Sequence, residues 1–125
     1  LQQNVVSEKI SVKCTSLDDY FAKRQIIPTV VKIDAESAEL EILKGMVQTL
    51  SSSQPIVSVE VGDFDLPGVP KSREVVEFVL QYGYVAFEYK TGKFVSHQPR
   101  EHYNYSNILF VPTQLQERFS KLFDQ

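Results

Sequence analysis

Between Thr29 and Gly62 the hydrophobic period changes twice, and no other feature limits the fold as strongly. "TVVKID" is a short β-branched run of the kind that strands favour. From Ser37 the apolar residues fall at helical spacing, with Leu40, Leu43, Val47 and Leu50 on one stripe and Ile42 and Met46 beside it. "PIVSVEVG" then returns to strand character, and Pro55 is tolerable as its first residue. Two strands joined through a helix predict parallel pairing with a right-handed crossover. Gly45 inside the helical stretch costs about 1 kcal/mol relative to alanine, and its presence points to a close helix–sheet approach.

The flanking segments extend this pattern. "ISVKCTSLDDYF" alternates Ile10, Val12 and Cys14 with polar residues, which predicts a half-buried strand. Leu17, Tyr20 and Phe21 then predict a short helix ending before Pro28. Ser72 is a candidate N-cap and Gly83 a candidate C′ residue for a helix burying Val75, Val76, Phe78, Val79 and Tyr82. "YVAFEY" and "KFVS" flank "KTGK", a hairpin signal with Gly92 at a bulge. "HQPREHYNYS" is too long for a tight turn, and "NILFVP" reads as the last strand. Thr113 and Gln116 suit a capping box for a terminal helix over residues 113–125, with Leu115, Phe119 and Leu122 on its inner face. The expected fold is a single α/β domain over residues 1–125, with a mostly parallel open sheet and an antiparallel final hairpin.

Composition narrows the function classes. A chain of 125 residues is long enough to bury a core as one domain. Its net charge of −3 gives no electrostatic reason to expect nucleic acid or an anionic membrane as partner. One cysteine, Cys14, cannot form an internal disulfide, which suits a reducing, cytoplasmic setting, and a buried structural role is its expected one. No apolar run approaches the roughly 20 residues of a membrane span, and no signal peptide is visible. GxGxxG, GxxxxGK[ST] and HExxH are all missing from the sequence.

Chemistry concentrates where the strands end. Ligands of open α/β sheets sit beyond the carboxyl ends of parallel strands. "VVKIDAE" ends in Asp34 and Glu36, and "IVSVEVGD" ends in Glu60 and Asp63. If the two strands are neighbours, these acids converge, where they can take a proton from a hydroxyl or hold a divalent cation through oxygen. Closely spaced acids also raise one another's pKa. The alternative for acids in a first helical turn is favourable interaction with the helix dipole, about 0.3–1 kcal/mol each. Glu39 and Glu41 are assigned to that role, with Glu39 also a possible cap. The long segment "HQPREHYNY" brings His97, Arg100 and His102, either as a binding loop or as a solvated one.

An ordered set of segments resembles the FkbM family of S-adenosylmethionine-dependent methyltransferases: "TSLDDYF", "VVKIDAESAELEILKGM", "QPIVSVEV", "LQYGYVAFEY" and "SNILFVP". "KIDAESAELEILKG" is the most specific of them, and together they span roughly residues 10 to 112. The resemblance implies the C-terminal half of a Rossmann-like methyltransferase sheet. In spatial order, "TVVKID" should come first, then "IVSVEV", the last strand, and "YVAFEY". It implies methyl transfer from S-adenosylmethionine to a hydroxyl of a small molecule, sugar or glycan. Asp34 would face the reacting centre, Glu36 and Glu60 would assist or hold a metal, and His97, Arg100, His102 and Asp63 would bind substrate. Lys32 is either a partner for one of the acids or, as is commoner for a lysine on a strand, a solvated neighbour.

Two departures accompany the resemblance. Ser37 stands where the family has glycine, and is expected to cap the helix instead. The family's glycine-rich cofactor loop has no counterpart among glycines 45, 62, 68, 83 and 92. A chain that also starts at Leu1 is therefore expected to be the C-terminal portion of a longer enzyme, inactive alone, with "TVVKID" as an open apolar edge able to pair with another chain. A non-catalytic module pairing through that edge is the competing expectation. A divalent-metal hydrolase built on Asp34, Glu36 and Glu60 ranks below both, because no histidine lies near these acids in sequence.

Overall fold

The computed structural model describes residues 7–123. Its elements are α1 (Leu17–Arg24), β1 (Val30–Ile33), α2 (Glu39–Lys44), β2 (Ile56–Val61), α3 (Ser72–Leu80), β3 (Tyr84–Lys90), β4 (Lys93–His97), β5 (Ser106–Pro112) and α4 (Gln116–Phe123). They form a five-stranded sheet in the order β1-β2-β5-β3-β4. The neighbours β1, β2, β5 and β3 follow the spatial order expected from sequence, and the α/β class holds.

The expectation of a mostly parallel sheet does not hold. Only β1 and β2 pair in parallel, while β2–β5, β5–β3 and β3–β4 are antiparallel. The reason is topological. Strands β1, β2 and β3 all run the same way, as strand–helix–strand crossovers require. But β5 inserts between β2 and β3 in the opposite direction, replacing one parallel contact with two antiparallel ones.

Helices α2 and α3 cover one face. Their Leu40, Leu43, Val75, Val76 and Val79 pack with Met46 and Leu50 onto Val57, Val59, Val61, Ile108 and Phe110. Alternate residues of β2 are buried, which gives the sheet a distinct second face. There α4 lays Phe119 on Phe87 and Val111, with Phe94 stacked edge-on against Phe119 at 5.1 Å between ring centroids. Tyr84 sits at the rim of the first core; its hydroxyl donates to the Pro55 carbonyl at 2.9 Å, and burial pushes its pKa up to about 12.

Several local expectations are corrected. Residues 10–14 form no strand, and Ile10 and Val12 are 78% and 77% exposed. Alternation creates a strand only where a sheet edge accepts it, and this segment pairs with none. Cys14 is exposed, not buried. The helical stripe after Ser37 breaks at Gly45 and ends in a π-helical turn, Thr49–Ser53. A Cβ on Gly45 would meet the Cβ of Ser16 at 3.4 Å, so its close approach is to the start of α1 and not to the sheet. Asp18 locks that junction, accepting from the backbone N–H groups of Gln48 and Thr49 at 2.9 Å each. The hairpin closes through Thr91 and Gly92, both at positive φ, and Lys90 pairs directly with Lys93 without a bulge. Lys71, not Ser72, is the N-cap of α3. Thr113 donates its hydroxyl to the Gly83 carbonyl at 2.8 Å, and a 3₁₀ turn, Thr113–Leu115, precedes α4. The predicted terminal helix thus begins at Gln116, and residues 124 and 125 lie outside the described residues.

The β1–α2 junction is a left-handed turn at the sheet's carboxyl edge. Glu36 and Ser37 have φ of 46° and 80°, a conformation that side chains with a Cβ disfavour. Ser37 does not cap α2; the N-cap is Ala38, which makes no side-chain bond. Glu39 does the bonding instead, its Oε1 accepting from the N–H groups of Ala35 at 3.0 Å and Ser37 at 3.3 Å. Ser37→Gly should therefore stabilise the fold by up to about 1 kcal/mol in chemical denaturation, the left-handed strain removed exceeding the added freedom of the unfolded chain. A loss of stability would show that the strain is not there.

Candidate active site

A cavity of 260 Å³ opens at the carboxyl ends of β1 and β2, with Asp34, Glu36, Glu60, Phe64, Asn104 and Tyr105 among its lining residues. Asp34 follows the last residue of β1, Glu36 projects from the strained turn, and Glu60 precedes the last residue of β2. Parallel pairing of Ile33 with Val59 sets the two strand ends side by side. One carboxylate oxygen from each of the three acids lies within 4.8 Å of the others. The convergence expected from sequence is thus present. Such a spacing suits a hard divalent cation held through oxygen, or a proton shared among carboxylates.

The charges interact. Glu60 has its pKa raised, first by partial burial and then by hydrogen bonding and charge repulsion from Asp34, while Tyr105 and the Lys32 ammonium act in the opposite direction. Lys32 donates its ammonium to Asn107 Oδ1 at 2.9 Å, so its influence on Glu60 is through space. Glu39 belongs to the fold and not to the charge cluster: it is buried, and its bonds hold the turn that presents Glu36.

Asp63 lines the same cavity, yet its side chain is 1% exposed and committed to backbone. Oδ1 accepts from the Ser72 N–H at 2.8 Å and Oδ2 from the Tyr103 N–H at 2.8 Å. Burial alone would raise this carboxyl, but the Ser72 and Tyr103 bonds outweigh it and hold the pKa below its usual value. His97 and Arg100 do not line the cavity; they join Glu88. The His97 side chain is 2% exposed, with Nε2 at 2.8 Å from the Tyr103 hydroxyl and Nδ1 at 3.3 Å from Glu88. Burial, then the nearby Arg100, pushes His97 below its ordinary pKa against the pull of Glu88, so the ring is neutral at pH 7. The Tyr103 hydroxyl accepts from the Arg100 N–H at 3.0 Å, which leaves its proton for Nε2 and places the ring proton on Nδ1. His102 is half exposed, with Nδ1 3.3 Å from Asp63. From this loop Asn104 and Tyr105 reach the cavity. Nothing in the sequence marked either aromatic as a site residue: Tyr105 lies in the long segment after β4, and Phe64 in the loop after β2.

A family model described as the methyltransferase FkbM domain matches residues 2–86. The chain belongs to the FkbM methyltransferase family. No curated protein and no solved structure matches it significantly. Membership places this FkbM domain among methyltransferases, for which S-adenosylmethionine is the general methyl source. The described residues do not supply a glycine cradle for that cofactor. The space for a Cβ on Gly62 is filled by the Asn104 carbonyl at 3.0 Å, and Gly68, Gly83 and Gly92 occupy separate left-handed turns. No helix among the described residues is long and apolar enough to cross a membrane.

Two outcomes follow for the FkbM domain. Glu60 has a raised folded pKa, so its ionisation opposes folding once pH exceeds its unfolded value. Glu60→Gln should raise the melting temperature at pH 7 and leave it unchanged at pH 3, where both forms are neutral. Asp63 has a depressed pKa, so its contribution is present above the unfolded value and is lost as pH falls through the folded one. Asp63→Ala, leaving two N–H groups without their carboxylate, should cost about 2–4 kcal/mol at pH 7 and much less under acid conditions, as read by urea unfolding.

Proposed function

We propose that Asp34, Glu36 and Glu60 form the acceptor end of an S-adenosylmethionine-dependent O-methyltransferase site in a Rossmann-like fold of which this chain is the C-terminal part. The observation that supports this most is the meeting of three carboxylates from separate strand ends within 4.8 Å, beside a cavity, in an FkbM domain. Transfer of the cofactor's methyl to a hydroxyl would form a C–O bond as the S–CH3 bond breaks and the neutral thioether, S-adenosylhomocysteine, leaves. The hydroxyl proton is released, which needs a base. Glu60 receives it, because a carboxyl raised toward neutrality is a stronger base than an ordinary one. Asp34 accepts the hydroxyl's hydrogen bond and orients the oxygen. Glu36 bounds the opposite side. The acceptor is a small-molecule, sugar or glycan hydroxyl. Residues beyond those described, in the same protein or a partner chain, supply the cofactor cradle, so the 125-residue chain is inactive alone. The setting is cytoplasmic, where the exposed thiol of Cys14 stays reduced.

In a protein that carries this domain with a competent cofactor half, Asp34→Asn and Glu60→Gln should each lower turnover about 10²–10⁴-fold, with little change in acceptor KM for Glu60→Gln. The wild-type rate should rise with pH through the raised Glu60 ionisation. Unchanged turnover in Asp34→Asn would remove the assignment. Loss of turnover on chelation, restored by Mg²⁺, would instead make the three acids metal ligands.

One observation favours a second reading, a non-catalytic module that pairs through its edge. The outer edge of β1 has no strand partner among the described residues, and it borders a groove of 570 Å³ lined by Cys14, Leu17, Val31, Ile33 and Ile42. This reading predicts concentration-dependent self-association in size-exclusion chromatography, abolished by Val30→Pro, which removes an N–H that points outward from the β1 edge. A monomer at all concentrations would contradict self-pairing.

A further inference from the structure

Two aromatic side chains border the carboxylate cavity and have no part in the folding core. Phe64 follows Asp63 after β2 and is 52% exposed, and Tyr105 precedes β5 and is 65% exposed. Both line the cavity that holds Asp34, Glu36 and Glu60, together with Val69 and Pro70. Single exposed aromatics are common and need no function. Here two of them flank one cavity whose acids offer hydrogen-bond acceptors, so one recess combines apolar walls with an acceptor-rich floor.

That combination sorts ligands by chemistry. Carboxylates take hydroxyl protons and repel phosphate or carboxylate groups. Aromatic faces take flat apolar surface, and a pyranose-type ring presents C–H groups on its faces with hydroxyls around its rim. An open-chain polyol offers the same hydroxyls without a fixed face. The segments that carry the two rings are also tied to each other. Asp63, beside Phe64, bonds to the N–H of Tyr103, and the Asp63 N–H donates to the Tyr103 carbonyl at 2.8 Å. The segments bearing Phe64 and Tyr105 are therefore held together across the mouth without contact between the two aromatic side chains being required.

We propose that Phe64 and Tyr105 are specificity-determining residues that clamp the apolar face of a neutral hydroxylated ring, selecting ring acceptors over open-chain polyols at the Asp34–Glu60 site. The inference rests on the acceptor-site reading above and adds residues and a substrate shape to it. Tyr105 contributes its ring to the clamp, while its hydroxyl acts on Glu60 and lowers that carboxyl's pKa. The two parts are separable by substitution.

The test is titration of the ¹⁵N-labelled 125-residue chain with methyl β-D-glucopyranoside and, separately, sorbitol, following backbone amides of residues 34–37, 60–64 and 104–105. The pyranoside should bind more tightly than sorbitol. Tyr105→Ala and Phe64→Ala should each weaken the pyranoside about three- to ten-fold, the worth of one aromatic contact, and leave sorbitol unchanged. Tyr105→Phe should retain wild-type pyranoside affinity while Glu60 titrates at higher pH. Leu122→Ala, exposed on α4 away from the cavity, is the control and should change neither. Because Phe64 and Tyr105 are exposed, thermal melts of these variants should match wild type. Equal binding of the two polyols, or full pyranoside affinity in both alanine variants, overturns the clamp. If that equal binding is weakened by Asp34→Ala, the acceptor site survives the failure; if the pyranoside moves no amide around the cavity, both readings fall.

Discussion

The Asp63 carboxylate holds the working end of this molecule together. With one oxygen on the first turn of α3 and the other on the Tyr103 backbone, it joins the end of β2, the start of a core helix and the long β4–β5 connection. Those segments provide three sides of the cavity, and the fourth comes from the β1–α2 turn held by Glu39. Both acids act inside the structure by organising backbone N–H groups, which is where a buried carboxylate is best satisfied. Asp34, Glu36 and Glu60, the acids of the proposed acceptor site, line the recess without such a commitment to backbone. One strand edge thus carries two kinds of carboxylate, and hydrogen-bond satisfaction separates them.

The chemistry-bearing strand ends were legible in sequence because their argument is local. A strand that ends in acids, followed by a helix and a second such strand, brings those acids together whenever the two strands pair in parallel, and β1 and β2 do. The left-handed turn was legible only through the resemblance, as the glycine replaced by Ser37. The sheet's direction was not legible. The resemblance set the last strand between β2 and β3, but the antiparallel pairings that this insertion creates are long-range, and no local period records them. Ile10, Val12 and Cys14 failed for the same reason: their alternation is real, but no edge receives them.

The loop after β4 was the hardest segment to read. Its two histidines and arginine were open to a binding or a solvated reading, and two of the three, His97 and Arg100, instead build a polar core. His97, Glu88, Arg100 and the Tyr103 hydroxyl satisfy one another, and Tyr103 is 1% exposed. Residue type alone does not distinguish a buried network from a binding surface, since both require the same donors and acceptors. What separates them is facing direction. Tyr103 and Tyr105, two positions apart, end on opposite sides of that division, the first supporting the loop and the second reaching the cavity.

The proposed acceptor site depends on Asp34 and Glu60 acting as one proton-binding unit at the strand ends. Carboxyl ¹³C NMR titration of Glu60, in the wild-type chain and in Asp34→Asn, measures that directly. The expected result is a Glu60 ionisation above the ordinary glutamate value of 4.5 in the wild type, falling toward it when Asp34 loses its charge. Glu60 titrating at its ordinary value in both proteins would contradict it.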